Sequence, residues 1–400
     1  MIFRFAWRYF SAKKSTNAIN VIAWVSVVAI TVGTASLLII LSAFNGFESL
    51  VRSLYSSFYP DIRISPAKGS SLFLTPEQLK KIRQTGGVGA ASLVMEGKAL
   101  LQNGEFQTVV TIKGVDENYI HVSGVPENMV RGRFETGNSE LPKIVMGIGI
   151  ENAVGVLADR TLSPLTLYLP KKGVEDVSDP LSALAVGTVT AAGTFAIQQE
   201  FDNGYVLTNL DFLKQQMGWG GEEYSAVEIR LTGEQPAEGV QAALRTLLGS
   251  SFQVQNRLEQ NRSLYITIRT EKWVIYGIFS LILLVAAFTM VGALTMLVLE
   301  KKKDIYILRA LGADASLIQR IFVSEGLLLA GIGALLGMFL AIGLYYLQIT
   351  YKLVPLEGQS FLIDYYPVKL VAGDFVLVGL TVGLIGLLAS WVPAGRASRL

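Results

Sequence analysis

Few side chains in this sequence have the types and spacing that catalysis requires. His121 is the only histidine and there is no cysteine, which excludes a Ser-His triad, a histidine zinc cluster and thiol chemistry. Gly97–Lys98 lacks both the upstream glycine and the following Ser or Thr of a phosphate-binding loop. Glu222 and Glu223 lie in a polar turn. We therefore predict no catalytic residue, no metal site and no cofactor, and we interpret His121 as a structural residue in a strand over Tyr119–Val122.

One polar segment, EKKKDIYILRALGADASLIQR (Glu300–Arg320), has a pattern typical of an interaction site. Helix-forming and apolar residues from Asp304 to Leu311 predict a short helix that ends at Gly312. Asp314 or Ser316 is placed to cap the helix that follows. A short, partly apolar helix fits either the groove of a soluble partner or the surface of a lipid bilayer, and composition alone leaves both possibilities open.

The elements that position this segment are membrane spans. The chain has 400 residues, of which only 16% are charged, against about 25% in an ordinary soluble domain. Each of four windows lacks Asp, Glu, Lys and Arg and exceeds the roughly 20 residues that cross a bilayer. They are Ser15–Phe47, Trp273–Leu299, Gly326–Tyr351 and Phe375–Gly395. The first apolar run is too long for a cleaved signal peptide, so we interpret it as a retained span.

Basic residues next to these windows predict the orientation of the chain. They cluster before the first span, between the second and third, and after the fourth, as is typical of cytoplasmic segments. The clusters are Arg4, Arg8, Lys13 and Lys14; Lys301, Lys302, Lys303, Arg309 and Arg320; and Arg396 and Arg399. Both termini are therefore predicted to be cytoplasmic, and the long segment between spans 1 and 2 to lie outside. That segment alternates strand-like and helix-like patterns, which favours an α+β domain.

Several segments resemble a known transporter family. FRFAWRYFSAKKS and Val21–Glu48, which closes with NGFE, resemble the start and first span of the LolC/LolE lipoprotein-releasing permeases. Glu300–Gly337 is similar to the coupling region of the wider FtsX/MacB permease superfamily, and Val392–Leu400 (VPAGRASRL) resembles its C-terminal end. The NGFE segment is the more specific of these matches, since the coupling segment indicates only the superfamily.

The resemblance implies a permease without an ATPase domain of its own. A separate cytoplasmic ABC ATPase subunit, carrying ATP and magnesium, would dock on residues of the coupling segment: Glu300, Asp304, Ile305, Leu308, Arg309, Gly312, Leu317 and Gln319. A second permease subunit, identical or paralogous, would complete a cavity for lipoprotein acyl chains, lined by Ile40, Phe44, Phe47, Val51, Ile268, Tyr276 and Phe279. A periplasmic lipoprotein carrier would contact a loop that contains Pro170, Lys171, Lys172, Val174, Asp179 and Pro180.

The predicted fold is membrane α-helical, with four transmembrane helices, plus an α+β periplasmic domain with a MacB-like core inserted between helices 1 and 2. We divide the chain into an interfacial N-terminal helix (1–17), span 1 with a periplasmic extension (18–47), the periplasmic domain (48–256), a stalk with span 2 (257–299), the coupling helix (300–319), span 3 (320–349), a periplasmic loop (350–372), span 4 (373–394) and a cytoplasmic tail (395–400). The predicted location is the bacterial inner membrane.

Two other functions remain open at this point. A MacB-like exporter of peptides or drugs usually carries its ATPase domain on the same chain. An FtsX-like scaffold that switches a cell-wall hydrolase tends to have a smaller outer domain, and the NGFE segment argues against it. The resemblance favours a subunit that extracts lipoproteins from the outer leaflet of the inner membrane.

Overall fold

A computed structural model of the chain describes residues 17–160, 164–172, 183–233, 236–356 and 365–399. The interfacial helix predicted for residues 1–17 lies outside this range except for its last residue. The described residues divide into two compact units. The membrane unit comprises residues 17–50, 266–356 and 365–399, and the inserted domain comprises the described part of residues 51–265.

Helices of two kinds occur, long apolar ones and short amphipathic ones. In chain order they are α1 (Asn17–Phe58), α2 (Pro76–Arg83), α3 (Tyr119–Val122), α4 (Ile148–Ala153), α5 (Gln199–Asp202), α6 (Leu210–Met217), α7 (Ala237–Leu248), α8 (Arg257–Gln260), α9 (Arg262–Glu300), α10 (Lys302–Ala310), α11 (Ala315–Tyr351) and α12 (Ala372–Ala397). Helices α1, α9, α11 and α12 are long and apolar enough to cross a membrane. The four spans expected from the uncharged windows are therefore present.

Glycines of α11 allow the spans of the membrane unit to pack closely. A Cβ atom built on Gly333 would lie 2.8 Å from Ile30 Cγ2, and one on Gly337 would lie 2.6 Å from Thr34 Cβ. These two glycines, four residues apart, face α1. Small residues at this spacing let helix backbones approach in a bilayer, where association depends on van der Waals packing rather than on expulsion of water.

Strands of the inserted domain are β1 (Ile62–Pro66), β2 (Leu72–Phe73), β3 (Val88–Asn103), β4 (Phe106–Val115), β5 (Met129–Gly132), β6 (Lys143–Gly147), β7 (Leu165–Pro170), β8 (Leu184–Phe195), β9 (Tyr205–Asn209), β10 (Glu223–Tyr224), β11 (Ala226–Leu231) and β12 (Phe252–Asn256). Within the described residues the main sheet runs β12-β1-β11-β3-β4-β9-β6-β8-β5, and β7 pairs with both β3 and β8. The long β3–β4 hairpin closes through a two-residue turn in which Gly104 has φ +58°, a conformation that glycine adopts readily.

Two apolar cores stabilise the domain. One lies among β1, β11, β12, α2 and α7 and includes Ile62, Ile229 and Leu244. The other lies among β3, β4, β6, β7, β8, β9 and α6 and includes Met146 and Leu213. The sequence has helix-like patterns over Pro76–Arg83 and Ala237–Leu248, and α2 and α7 have these same bounds in the structure.

Four charged side chains from neighbouring strands form a cluster with a buried centre, which we call the charge cluster. It consists of Arg63 (β1), Glu228 (β11), Glu96 (β3) and Lys113 (β4), and the strand register pairs Arg63 with Glu228 and Glu96 with Lys113. Lys113 Nζ lies 2.7 Å from Glu228 Oε1, and Arg63 Nη2 lies 2.6 Å from Glu96 Oε2. Lys113 and Glu228 are each only 1% exposed. Two positive and two negative charges therefore balance inside the domain.

Charge pairing, rather than burial, sets the direction of the pKa shifts in this cluster. Burial lowers the pKa of Lys113, but the carboxylate of Glu228 overcomes that effect and holds the pKa above its ordinary value. Burial raises the pKa of Glu96, but the positive charges of Arg63 and Lys113 overcome it and hold the pKa well below its ordinary range. The rings of Phe58 and Tyr119 lie 5.3 and 5.1 Å from Lys113 Nζ, within the range of cation–π contact.

The strand predicted over Tyr119–Val122 is wrong, because these residues form the one-turn helix α3. Tyr119 is fully buried beside Lys113, and His121 lies on the exposed side of the turn. Alternation over four residues cannot distinguish a strand from a single helical turn.

Candidate functional site

The coupling segment forms a short helix that exposes apolar side chains. Ile305 of α10 is 1% exposed and belongs to the core of the membrane unit. Tyr306, Ile307 and Leu311 are 49%, 59% and 80% exposed. Arg309 Nη2 donates to the carbonyl oxygen of Ser398 at 2.5 Å. One side of α10 is therefore held by the membrane unit, while the other offers an apolar surface.

The connection from α10 to α11 is built as the sequence predicts. Leu311 ends α10, and Gly312 follows with φ +94°, a conformation that favours glycine. The side chain of Asp314 then caps α11 by accepting from the Leu317 amide at 3.1 Å. The predicted coupling helix 300–319 thus consists of α10 and the first turn of α11, separated by this break.

The predicted docking residues are not equally accessible. Asp304 pairs with Lys301 at 3.2 Å, Leu308 and Gln319 are half-buried, and Leu317 is exposed. Glu300 lies at the end of α9 and has interactions of its own. The residues predicted to contact the ATPase subunit do not include Tyr306, Ile307 and Leu311. The four-residue spacing of Ile307 and Leu311 could have indicated that these two share a helix face. We call Tyr306, Ile307, Leu311 and Leu317 the docking surface, because they are the exposed apolar residues of the segment predicted to bind the ATPase subunit.

Residues predicted to meet acyl chains lie on α1 and α9. Ile40, Phe44 and Phe47 are half-buried. Tyr276 and Phe279 pack against the core of the membrane unit, and the Tyr276 hydroxyl forms a hydrogen bond with Thr381 Oγ1 of α12. Val51 and Ile268 are 5% and 6% exposed, and Val51 belongs to the inserted domain. In this single chain the half-buried residues of the predicted set therefore lie on both α1 and α9, and only Val51 and Ile268 are buried.

The NGFE segment positions this part of α1. Asn45 Nδ2 donates to Asp374 Oδ2 at 2.5 Å, and Lys272 Nζ donates to Asn45 Oδ1 at 2.6 Å. Lys272 and Asp374 form an ion pair at 3.6 Å, so the Asn45 side chain joins α1, α9 and α12. A Cβ atom on Gly46 would lie only 2.2 Å from the carbonyl oxygen of Pro367. The Asn-Gly pair therefore fixes α1 against the segment that precedes α12.

The loop predicted to contact a carrier begins and ends on an ordered base. The Lys171 amide donates to the carbonyl oxygen of Ala183 at 2.9 Å, and the Lys172 amide donates to that of Met217 at 3.2 Å. Lys172 Nζ also binds Glu223 and lies 5.3 Å from the centroid of the Trp219 ring. Among the other predicted contact residues, Pro170 ends β7, whereas Val174, Asp179 and Pro180 lie outside the described residues.

Electrostatics stabilise the Lys172–Glu223 pair. Burial raises the pKa of Glu223, but hydrogen bonds from Lys172, Ser71 and the Gly220 amide overcome it and hold that pKa below its ordinary value. The polar turn that contains Glu222 and Glu223 predicts solvated side chains. The structure shows Glu223 to be 3% exposed, because the turn after α6 folds it against the base of the loop.

Comparison with known proteins agrees with this architecture. The model of the MacB-like periplasmic core domain matches residues 23–247, and that of the FtsX-like permease C-terminal region matches residues 276–400. The chain therefore belongs to the family of membrane permeases with a MacB-like periplasmic core domain. It is 27% identical to the lipoprotein-releasing system transmembrane protein LolE of Haemophilus influenzae, over 100% of this chain and 97% of that protein. It is also 27% identical to the transmembrane protein LolC of the same kind of system in Neisseria meningitidis, over 98% of this chain and 96% of that protein.

These similarities confirm the resemblance found in the NGFE and coupling segments. They cover nearly the full length of the chain and include both the four spans and the inserted domain. The protein is thus a multi-pass membrane protein and a transporter component of the ABC permease type, with a periplasmic domain between its first two spans.

Proposed function

We propose that this chain is the permease subunit of an ATP-driven transporter that extracts lipoproteins from the outer leaflet of the bacterial inner membrane and passes them to a periplasmic carrier. The observation that carries the proposal is the similarity to LolE and LolC over almost the whole chain. The termini lie in the cytoplasm, as the basic clusters predict, and ATP hydrolysis takes place in a separate subunit.

The docking surface supports the proposed ATPase partner. Ile307 and Leu311 together present exposed apolar area next to Arg309 and the basic residues Lys302 and Lys303. Apolar anchors surrounded by charges are typical of helices that insert into a groove of a partner protein. Movement of the ATPase would reach the membrane unit through Ile305, which is buried in its core.

Extraction of a lipoprotein needs this external energy. Each methylene group of an acyl chain that leaves the bilayer costs about 0.8 kcal/mol. An apolar surface on α1 that includes Ile40, Phe44 and Phe47 would offset part of this cost during transfer. A second permease subunit would complete the cavity, and the loop on the Lys172–Glu223 base would receive the carrier.

Reconstitution tests the proposed function. Proteoliposomes would contain this chain, its second permease subunit, the ATPase subunit and a triacylated lipoprotein, with soluble carrier outside. We expect ATP-dependent transfer of the lipoprotein to the carrier. No transfer above the level without ATP would contradict the proposal.

Substitution of the docking surface should uncouple the complex. Ile307→Asp combined with Leu311→Asp places charges where apolar contacts are expected, so we predict that ATPase copurification and lipoprotein transfer both fall about tenfold or more. The matched control is Leu353→Asp, since Leu353 is 63% exposed and follows the opposite end of α11. Full ATPase binding by the double variant would exclude this surface as the docking site.

A further inference from the structure

A basic cleft in the inserted domain has no role in the proposed transport cycle. It has a volume of about 490 Å³ and lies where the end of α2, the start of β3, α3 and β11 meet. Its polar side chains are Arg83, Asn118, His121 and Arg230, and the remaining lining comes from residues 88–91 of β3. This is the only place in the sequence where histidine occurs.

Arg230 supplies a positive charge to the cleft. No carboxylate among the described residues forms an ion pair with it. The strand register shifts between Arg230 and Leu231, and such bulges redirect side chains away from the regular sheet pattern. The neighbouring carboxylate of Asp61 is already occupied, since it binds Arg257 at 2.8 Å and accepts from the Leu231 amide at 2.9 Å.

Positive charge exceeds negative charge around the cleft. Burial and the nearby charge of Arg230 lower the pKa of Arg257 despite the presence of Asp61. On the other side, Arg83 Nη2 lies 4.0 Å from Asp116 Oδ2 and 3.3 Å from the carbonyl oxygen of Ala91. Asp116 is itself held by Ser92 Oγ at 2.5 Å, the Leu93 amide at 3.2 Å and Asn118 Nδ2 at 3.4 Å. The two guanidinium groups that line the cleft, those of Arg83 and Arg230, thus lie near one carboxylate, Asp116, which also accepts hydrogen bonds from other donors.

The polar side chains that line the cleft come from separate elements: Arg83 from the end of α2, Asn118 and His121 from the start of α3, and Arg230 from β11. Guanidinium groups bind phosphate oxygens through paired hydrogen bonds, and arginines on different elements can surround a tetrahedral anion. The volume accommodates more than a single ion. We propose that this cleft binds a phosphate group, either as free phosphate or as the headgroup of an anionic phospholipid.

Binding is measured on the purified full chain in nanodiscs of zwitterionic lipid. Inorganic phosphate and dihexanoyl phosphatidylglycerol, a short-chain lipid that stays dissolved, are each titrated at constant ionic strength, with chloride as the replaced anion. We expect saturable binding of at least one probe. Binding of phosphate alone identifies a free anion as the ligand type, and binding of the lipid alone identifies a headgroup.

Matched arginine variants locate the binding. Arg230→Gln should raise the dissociation constant about tenfold or more, because it removes charge-assisted hydrogen bonds. Arg83→Gln should raise the dissociation constant less, since Asp116 already offsets part of the charge of Arg83. Arg230→Lys should give a dissociation constant between those of the unmodified chain and Arg230→Gln. Arg160→Gln is the control, because Arg160 belongs to the same domain, its side chain is 78% exposed, and it is absent from the cleft.

The proposal is overturned if neither probe binds saturably, or if Arg230→Gln and Arg83→Gln bind as tightly as the unmodified chain. Should Arg230→Gln unfold the domain, the test rests on Arg83→Gln and on His121→Ala at the exposed rim. Transport activity is not the readout, so failure of this proposal and failure of the proposed function are distinguishable.

Discussion

Replacing Lys113 by methionine is expected to destabilise the inserted domain by about 3–5 kcal/mol, the usual cost of removing one partner from a buried ion pair. Glu228 would keep its negative charge at 1% exposure and would lose its 2.7 Å contact with Lys113. Arg63 lies 3.3 Å from Glu228 but is already paired with Glu96. The remaining cluster would therefore hold two carboxylates for one guanidinium group.

Hydrogen exchange of the full chain measures this effect. Amides of β3, β4 and β11 should exchange about a hundredfold faster or more in the variant. Lys98→Met is the matched control, because Lys98 lies on the adjacent strand β3 with an exposed side chain that binds Thr111 Oγ1. The double variant Lys113→Met with Glu228→Gln should recover part of the loss, since it leaves the Arg63–Glu96 pair balanced. If the double variant is no more stable than Lys113→Met alone, the uncompensated charge of Glu228 is not the cause of the destabilisation.

Gly46→Ala should destabilise the membrane unit, although alanine normally favours a helix by roughly 0.5–1 kcal/mol over glycine. The added Cβ would lie 2.2 Å from Pro367 O, a backbone atom that cannot rotate away. Helix α1 would have to move, which disturbs the contacts of Asn45 with Asp374 and Lys272. We expect a cost of about 1–3 kcal/mol, as for other overpacked sites.

The thermal unfolding midpoint of the detergent-purified chain measures this change. Gly343→Ala is the control, because a Cβ at that position of α11 meets no atom within 4 Å. The two Gly→Ala changes should differ: Gly46→Ala should lower the midpoint, whereas Gly343→Ala should leave it unchanged or raise it. An unchanged midpoint for Gly46→Ala would show that the NGFE segment is not required for packing.

Local patterns predicted the elements of this fold well where they were long or had clear end signals. Long uncharged windows can form only spanning helices in a bilayer, and Thr75 and Gln78 form the capping box that begins α2. The single turn at Tyr119–Val122 was mistaken for a strand because its length carries too little periodicity. The position of this turn depends on a tertiary contact, the packing of Tyr119 beside Lys113.

Features that depend on register could not be predicted. Arg63, Glu96, Lys113 and Glu228 lie far apart in sequence, and charged residues in strands are ordinarily interpreted as solvent-exposed. Only the sheet order β1-β11-β3-β4 brings them together. In the coupling segment the sequence predicted the helix stop at Gly312 and a cap at Asp314 or Ser316, of which the structure has Asp314. It did not indicate which apolar residues face outward, since that depends on the burial of Ile305 in the membrane unit.

Photocrosslinking from Phe44 tests most directly the claim that this chain handles lipoproteins. A photoreactive amino acid at Phe44 of α1 should crosslink to a triacylated lipoprotein in the membrane when ATP is absent. The yield should fall when ATP and carrier allow release. Phe339 of α11, which is 70% exposed, provides the matched control and should give little lipoprotein product. Equal yields from Phe44 and Phe339, or a Phe44 product that forms equally well with non-acylated protein, would contradict the account.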